Sequence, residues 1–96
     1  MDYVVWPLPS VTARLARESR AVQDAFQQIC SVLAMNPWPN PQFPLVTEER
    51  SRGGRIVYTY ADQYFPFSIQ YLIYEPADDD SLGMIAVIGL IDLRRA

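Results

Sequence analysis

An apolar stripe with helical spacing lies between Ser19 and Met35. Apolar residues recur there at intervals of four, three and four positions, and glutamine and aspartate occupy the opposite side. The stripe consists of Val22, Phe26, Ile29 and Leu33. Ser19 is a good N-cap, and Asn36 followed by Pro37 ends the pattern, since proline forces the preceding residue out of the helical region and asparagine tolerates a left-handed cap. The pattern predicts a helix packed through this stripe.

A shorter amphipathic segment comes before this helix. Val11 and Leu15 lie four positions apart among charged residues, and Ser10 is a favourable N-cap in front of them. The pattern predicts a short helix that begins at Ser10. The sequence leaves open whether the two segments form two helices or one bent helix.

Four segments have the composition of β-strands. Residues 3–6 favour extended structure and are stopped by Pro7 and Pro9. Residues 55–61 and 67–75 show the two-residue alternation of a strand, and residues 84–93 are apolar on both faces. Because the last of these is apolar on both faces, we expect it inside the sheet.

Polar and proline-rich segments connect these elements. Residues 37–44 contain four prolines in eight positions, which favours a stiff spacer over a ligand for a proline-recognising partner. Residues 47–54 are polar, carry both signs and end in two glycines, a composition typical of a loop. Residues 78–83 predict a hairpin turn with three like charges.

The predicted order is strand, helix, helix and then three strands. Helices grouped early and strands grouped late indicate an α+β fold of the order β-α-α-β-β-β, with a helical hairpin on one face of a mostly antiparallel four-stranded sheet. A chain of 96 residues has the size of one domain, and we expect a single domain over 1–96.

The charged residues exclude several kinds of chemistry. All eight basic residues are arginine, against eleven acidic ones, and the net charge is −3. Without histidine or lysine there is no imidazole base and no lysine Schiff base. Cys30 is the single cysteine, so it forms no internal disulfide and no sulfur-rich metal site, and we interpret it as a small buried hydrophobe. We expect no cofactor.

The hydropathy of the chain argues against a membrane protein. No stretch approaches the roughly 18 consecutive apolar residues of a membrane helix, and the start lacks a basic n-region. We therefore expect no membrane association and a cytoplasmic location.

The order of these elements, together with several local strings, resembles the RelE/ParE superfamily, the small toxins of bacterial type II toxin–antitoxin modules. The strings are YVVW, VTARLARES, RAVQDAFQQICSVLAMNP, FSIQYLIYE and IAVIGLIDLR. They correspond to the short first strand, the helical hairpin closed by a phrase like "L..nP", the strand containing "YRI.Y.I" and the last strand ending in "v..R". None of these strings is specific alone, and the resemblance rests on their order and spacing.

The resemblance implies one of two activities. One branch of the superfamily contains ribosome-dependent mRNA endonucleases that hold RNA with basic side chains on the sheet, and the other contains inhibitors of DNA gyrase. Arg55 and Arg94 match basic positions of the nuclease branch, but Val57 and Ser68 stand where further basic residues belong. Since phosphate binding depends on cations and this chain is acidic, we expect binding of a macromolecule rather than RNA cleavage.

Two groups of residues are candidates for target binding. The arginines would bind anions if the strand that starts at Arg55 lay near the C-terminus, and they are Arg50, Arg52, Arg55, Arg94 and Arg95. Strand tyrosines either form an aromatic surface or pack half-buried, which we favour, and the candidates are Tyr58, Tyr71 and Tyr74. Trp6 and Trp38 either complete the core, which we favour, or anchor a partner.

The resemblance also implies partners. An antitoxin protein is expected, because many large apolar side chains accompany only two helices and such surface suits a partner segment. The expected target is the ribosome with its mRNA, or gyrase. A homodimer without toxin activity remains the other alternative.

Overall fold

The computed structural model describes residues 3–41 and 45–94, which form two helices and five strands. In chain order they are β1 (Tyr3–Pro7), α1 (Pro9–Leu15), α2 (Arg20–Met35), β2 (Val46–Arg50), β3 (Ile56–Tyr60), β4 (Phe67–Tyr74) and β5 (Gly83–Asp92). The predicted α+β class and the order of the helices and later strands are confirmed.

The sheet has five strands rather than the predicted four, in the order β1-β5-β4-β3-β2. The additional strand is β2, which lies in the segment predicted as a loop and pairs with β3 from Val46 to Arg50. β2 is an edge strand, and charged side chains are common on edge strands. Its polar composition is therefore compatible with a strand. β1 runs parallel to β5, and the other neighbours are antiparallel.

β5 lies inside the sheet, as its apolar composition predicted, between β1 and β4. Its register against β4 shifts by one residue, because Gln70 pairs with Gly89 and the next residue, Tyr71, pairs with Val87. Ile88 is therefore the extra residue of a β-bulge.

The helical region forms two helices, separated by residues 16–19. α1 begins at Pro9 rather than after a Ser10 cap, because proline has no N–H to leave unsatisfied at the first helical position. Ser19 caps α2 as predicted, and its hydroxyl accepts from the Val22 N–H at 3.3 Å. Asn36 ends α2 in an extended conformation with φ −156°, not in the predicted left-handed one.

Both helices pack on one face of the sheet. Phe26, Ile29 and Leu33 of the predicted stripe are buried, and Val22 is half-buried beside them. Strands β4 and β5 supply the other side of the core with Phe67, Ile69, Tyr71, Ile85 and Val87, all fully buried. None of the described helices is long and apolar enough to cross a membrane.

The proline-rich segment connects α2 to β2, and 42–44 lie outside the described residues. Its first residue, Pro37, is buried, and the Pro37 carbonyl accepts a hydrogen bond from the Tyr71 hydroxyl at 2.7 Å. This contact fixes the start of the segment to the centre of the sheet.

Candidate functional site

The sheet has one face covered by helices and one open face. Along β4, Phe67, Ile69 and Tyr71 point into the core, and the residues between them point the other way. The open face therefore carries Ser68, Gln70, Leu72 and Tyr74 from this strand. No helix among the described residues covers it.

One half of the open face is apolar. Val4 is paired with Met84 and Met84 with Tyr74, while Trp6 is paired with Ala86 and Ala86 with Leu72. These pairs place six apolar side chains next to one another across three strands. We call them the open apolar patch, and its members are Val4, Trp6, Leu72, Tyr74, Met84 and Ala86. Leu72 and Ala86 are buried, and the other four are exposed.

Trp6 belongs to this patch and not to the core. Its side chain is 60% exposed, because along β1 the neighbours Tyr3 and Val5 take the core-facing positions. The predicted core role is wrong for Trp6. Trp38, by contrast, packs against the core and meets the Tyr58 ring edge-on, with 5.8 Å between the ring centroids.

The open face has little charge. Val57 and Ser68, the positions where the nuclease branch has basic residues, both belong to it by strand alternation. Among the described strand residues that point to this face, none is an arginine, and Glu49 of β2 is the one charged residue. A face of this composition cannot neutralise several phosphates.

The candidate arginines lie at opposite ends of the sheet, so the predicted cluster does not form. β3 and β5 run in the same direction, and Tyr58 lies level with Val87 across β4. Arg55 lies just before β3, and Arg94 lies just after β5. About ten residues, or roughly 30 Å, therefore separate the two arginines along the strand direction. Arg95 lies outside the described residues.

The three arginines of the β2–β3 turn are exposed. Arg50 donates to the Gly54 carbonyl at 2.9 Å, across a turn in which Gly54 has φ +85°. Arg52 and Arg55 form no ion pair with any residue in the described ranges. Among the candidate arginines that the structure describes, these two are the free cations.

Arg94 is not free. Its guanidinium donates to both carboxylate oxygens of Glu18 at 3.0 and 3.2 Å, and to Asp92 at 2.9 and 3.1 Å. These hydrogen bonds hold the pKa of Asp92 well below its usual range and raise the pKa of Arg94. Arg94 therefore connects the end of β5 to the helical hairpin.

Phe67 lies between two guanidinium groups. Arg94 is 5.0 Å from the ring centroid and Arg14 is 5.1 Å from it, both within cation–π range. Arg14 also donates to Asp92 at 3.0 Å. These contacts form a cluster of five residues: Arg14, Glu18, Phe67, Asp92 and Arg94. Only the closeness of Asp92 to Arg94 could have indicated the cluster from the sequence, because its other members are far apart in the chain.

Two of the three candidate tyrosines are buried, so the favoured packing role holds for them and the alternative of an aromatic surface does not. Tyr58 and Tyr71 pack ring on ring, with 5.8 Å between centroids, on the helix side of the sheet. Burial raises the pKa of both hydroxyls. Tyr74 is exposed, as part of the open apolar patch.

A cleft opens between β3 and β4. The two strands pair only from Tyr58 to Tyr60, and the cleft beyond has a volume of about 360 Å³. Its walls combine the side chains of Trp38, Ile56 and Leu72 with those of Arg55 and Glu75. In the described part of the chain, no group of cysteine, aspartate and glutamate could hold a metal ion.

Comparison with known proteins supports the fold. No family model matches the sequence, and no curated protein matches it. The structure is similar to the crystal structure of the archaeal RelE–RelB complex from Pyrococcus horikoshii OT3, with a TM-score of 0.68 over 100% of both chains and 19% sequence identity. The chain has a RelE-like fold.

Proposed function

We propose that this RelE-like chain is the toxin of a type II toxin–antitoxin pair, that an antitoxin protein neutralises it, and that it acts by binding a macromolecular target. The observation that carries this proposal is the structural match over the full length of both chains, to a protein described as RelE in complex with RelB. An antitoxin is thus the first partner to test.

The open face supports binding over RNA cleavage. Val57 has no donor for a phosphate, Ser68 supplies no positive charge, and Arg94 already donates to Glu18 and Asp92. A preorganised contact to developing charge is typically worth about 10² to 10³ in rate, and several such contacts are missing. The open apolar patch instead offers the kind of surface that protein partners bury. We therefore expect a protein target such as gyrase, and a cytoplasmic location.

Two measurements test this proposal. Co-expression with the product of the adjacent reading frame is expected to give a stable complex in size-exclusion chromatography, and expression without that product is expected to inhibit growth. Separate elution of the two chains at micromolar concentration, or growth unaffected by the free chain, contradicts the toxin assignment.

Primer extension on translated mRNA after induction separates binding from cleavage. We expect no codon-phased cuts. Cuts that disappear in Arg55→Ala but persist in Arg17→Ala, which removes an exposed arginine between the helices, would restore the nuclease hypothesis.

A further inference from the structure

Strands β3 and β4 separate near the start of β3. Their ladder ends at the pair of Tyr58 with Tyr71, although β3 begins two residues earlier, at Ile56, and β4 continues to Tyr74. The cleft between β3 and β4 occupies the space between the two separated ends. Strands that separate in this way leave backbone groups without their usual partners in the ladder.

Backbone groups of Ile56 and Ile73 point into this cleft. On the other side of β3, the Ala61 N–H donates to the Leu45 carbonyl at 3.0 Å. The odd-numbered residues of β3 therefore bond to β2 and the even-numbered ones point to β4, because the direction alternates along an antiparallel strand. Ile56 would pair with Ile73 in this pattern, but the described sheet contains no such pair. Since both residues line the cleft, each wall presents a backbone donor and a backbone acceptor.

Four large side chains form the apolar part of the cleft. Trp38 and Tyr58 line it from the helix side, with their rings at 90° to each other, and Leu72 and Tyr74 line it from the open side. The volume of about 360 Å³ lies in the lower part of the range of small-molecule sites, which is roughly 300 to 1,000 Å³. The cleft therefore suits a small ligand with an apolar body.

One charge of each sign lies at the mouth of the cleft. Arg55 comes directly before β3 and Glu75 directly after β4, and both lie at the separated end because the strands are antiparallel. Both side chains are exposed, and neither forms an ion pair with any residue of 3–41 or 45–94. Burial raises the pKa of the Tyr58 hydroxyl, and the charges of Glu48 and Glu75 raise it further. The same two carboxylates would repel a phosphate.

We propose that the cleft between β3 and β4 binds a free α-amino acid with a large apolar side chain. In this assignment the Arg55 guanidinium pairs with the ligand carboxylate, and the Glu75 carboxylate pairs with the ligand ammonium. The backbone groups of Ile56 and Ile73 supply further hydrogen bonds to these two ligand groups, and the apolar side chain packs against Trp38. The inference is independent of the proposed function, because it concerns this chain alone.

Titration calorimetry with L-phenylalanine tests the site. The wild type is expected to bind one molecule per chain with a Kd below about 1 mM. Arg55→Gln and Glu75→Gln are each expected to weaken binding about 10-fold or more, because each removes a charge-assisted contact. Arg17→Gln and Glu49→Gln are the matched controls, since both side chains are exposed and lie outside the cleft. Both controls are expected to bind like the wild type, and circular dichroism confirms that each variant is folded.

Two analogues separate a site for a zwitterion from a site for a single charge. N-acetyl-L-phenylalanine lacks the ammonium group, and L-phenylalaninamide lacks the carboxylate. Both are expected to bind the wild type about 10-fold more weakly than phenylalanine. Glu75→Gln should not weaken the acetyl compound further, and Arg55→Gln should not weaken the amide further, because the ligand group that each side chain contacts is already missing.

Amide chemical shifts test the backbone contacts. Titration of the ¹⁵N-labelled chain with L-phenylalanine is expected to shift the N–H signals of Ile56 and Ile73. The N–H signal of Ile69 is the control, since Ile69 lies on the same strand as Ile73 and is paired with Tyr60 in the ladder. Equal shifts of all three signals, or none at Ile56 and Ile73, would contradict binding between the separated strands.

The remaining outcomes are equally distinct. The inference is overturned if phenylalanine shows no saturable binding, if both cleft variants bind it as well as the wild type, or if the controls are weakened as much. Tighter binding of either analogue than of phenylalanine would make the cleft a site for one charge. Tighter binding of adenosine monophosphate would make it a nucleotide site, and both results would also overturn the inference. None of these outcomes changes the case for a toxin–antitoxin pair.

Discussion

Arg94 and Glu18 form a two-bond ion pair, with hydrogen bonds of 3.0 and 3.2 Å, although 76 positions separate them in the sequence. Glu18 lies between the two helices, and Arg94 follows β5. The pair therefore connects the helical layer to the end of an internal strand. Arg94, a candidate for target binding, thus also has a structural role in the folded chain.

Arg94→Ala is expected to destabilise the fold. The substitution removes the donors to Glu18 and Asp92 and one of the two guanidinium groups over Phe67. Charge-assisted, two-bond contacts of this kind are stronger than single surface pairs. Urea unfolding should give a lower midpoint for Arg94→Ala than for Arg17→Ala, the exposed control. Equal midpoints would mean that the pair contributes nothing.

The stability of the protein is expected to fall in acid because of Asp92. Its pKa is lowered in the folded state by the hydrogen bonds from Arg94, so the unfolded chain takes up a proton first as the pH falls. The contribution is complete above the unfolded pKa, about 3.9, and is lost as the pH falls through the folded pKa. Unfolding measured from pH 6 to 2 should show a shallower decline for Asp92→Asn. The same slope in the wild type and Asp92→Asn contradicts this assignment.

Phe26→Ala is expected to cost about 3 to 5 kcal/mol, because the substitution removes contacts and leaves a cavity in the core. Phe26 is 2% exposed and stacks near Phe65, with 6.5 Å between ring centroids. Gln27→Ala, on the exposed side of the same helix, should change the free energy of unfolding by less than about 0.5 kcal/mol. Similar losses for both variants in urea melts would mean that the buried side of α2 is wrongly assigned.

The sequence predicted those elements whose patterns are local. The stripe of α2 and the Ser19 cap depend on residues within one helix, and both are confirmed. β2 was missed because it is mostly polar and shows no alternation of apolar and polar residues. Only its pairing with β3 identifies it as a strand. The position of Trp6 depended on which side of β1 the helices occupy, and the clustering of arginines depended on strand direction. Neither can be read from a local pattern.

Tyr71→Phe is expected to cost about 1 to 2 kcal/mol although it removes one oxygen atom. The Tyr71 hydroxyl donates to the Pro37 carbonyl inside the core, and without it that carbonyl loses its hydrogen bond away from water. Tyr74→Phe is the matched control, since Tyr74 lies on the same strand and is exposed. Its expected change is below about 0.5 kcal/mol. Thermal unfolding that shifts equally for both variants would argue against the buried bond.

Cys30 is expected to resist alkylation in the native protein. The side chain is buried in α2 as the sequence predicted, and burial raises its pKa to about 12. Because the thiolate is the nucleophile, both the low thiolate fraction at pH 8 and the lack of access slow the reaction. Iodoacetamide at pH 8 should modify the native chain at least 100-fold more slowly than the chain in 8 M urea, as followed by mass spectrometry. Comparable rates in the two conditions would place Cys30 on the surface and contradict the packing of α2 against the sheet.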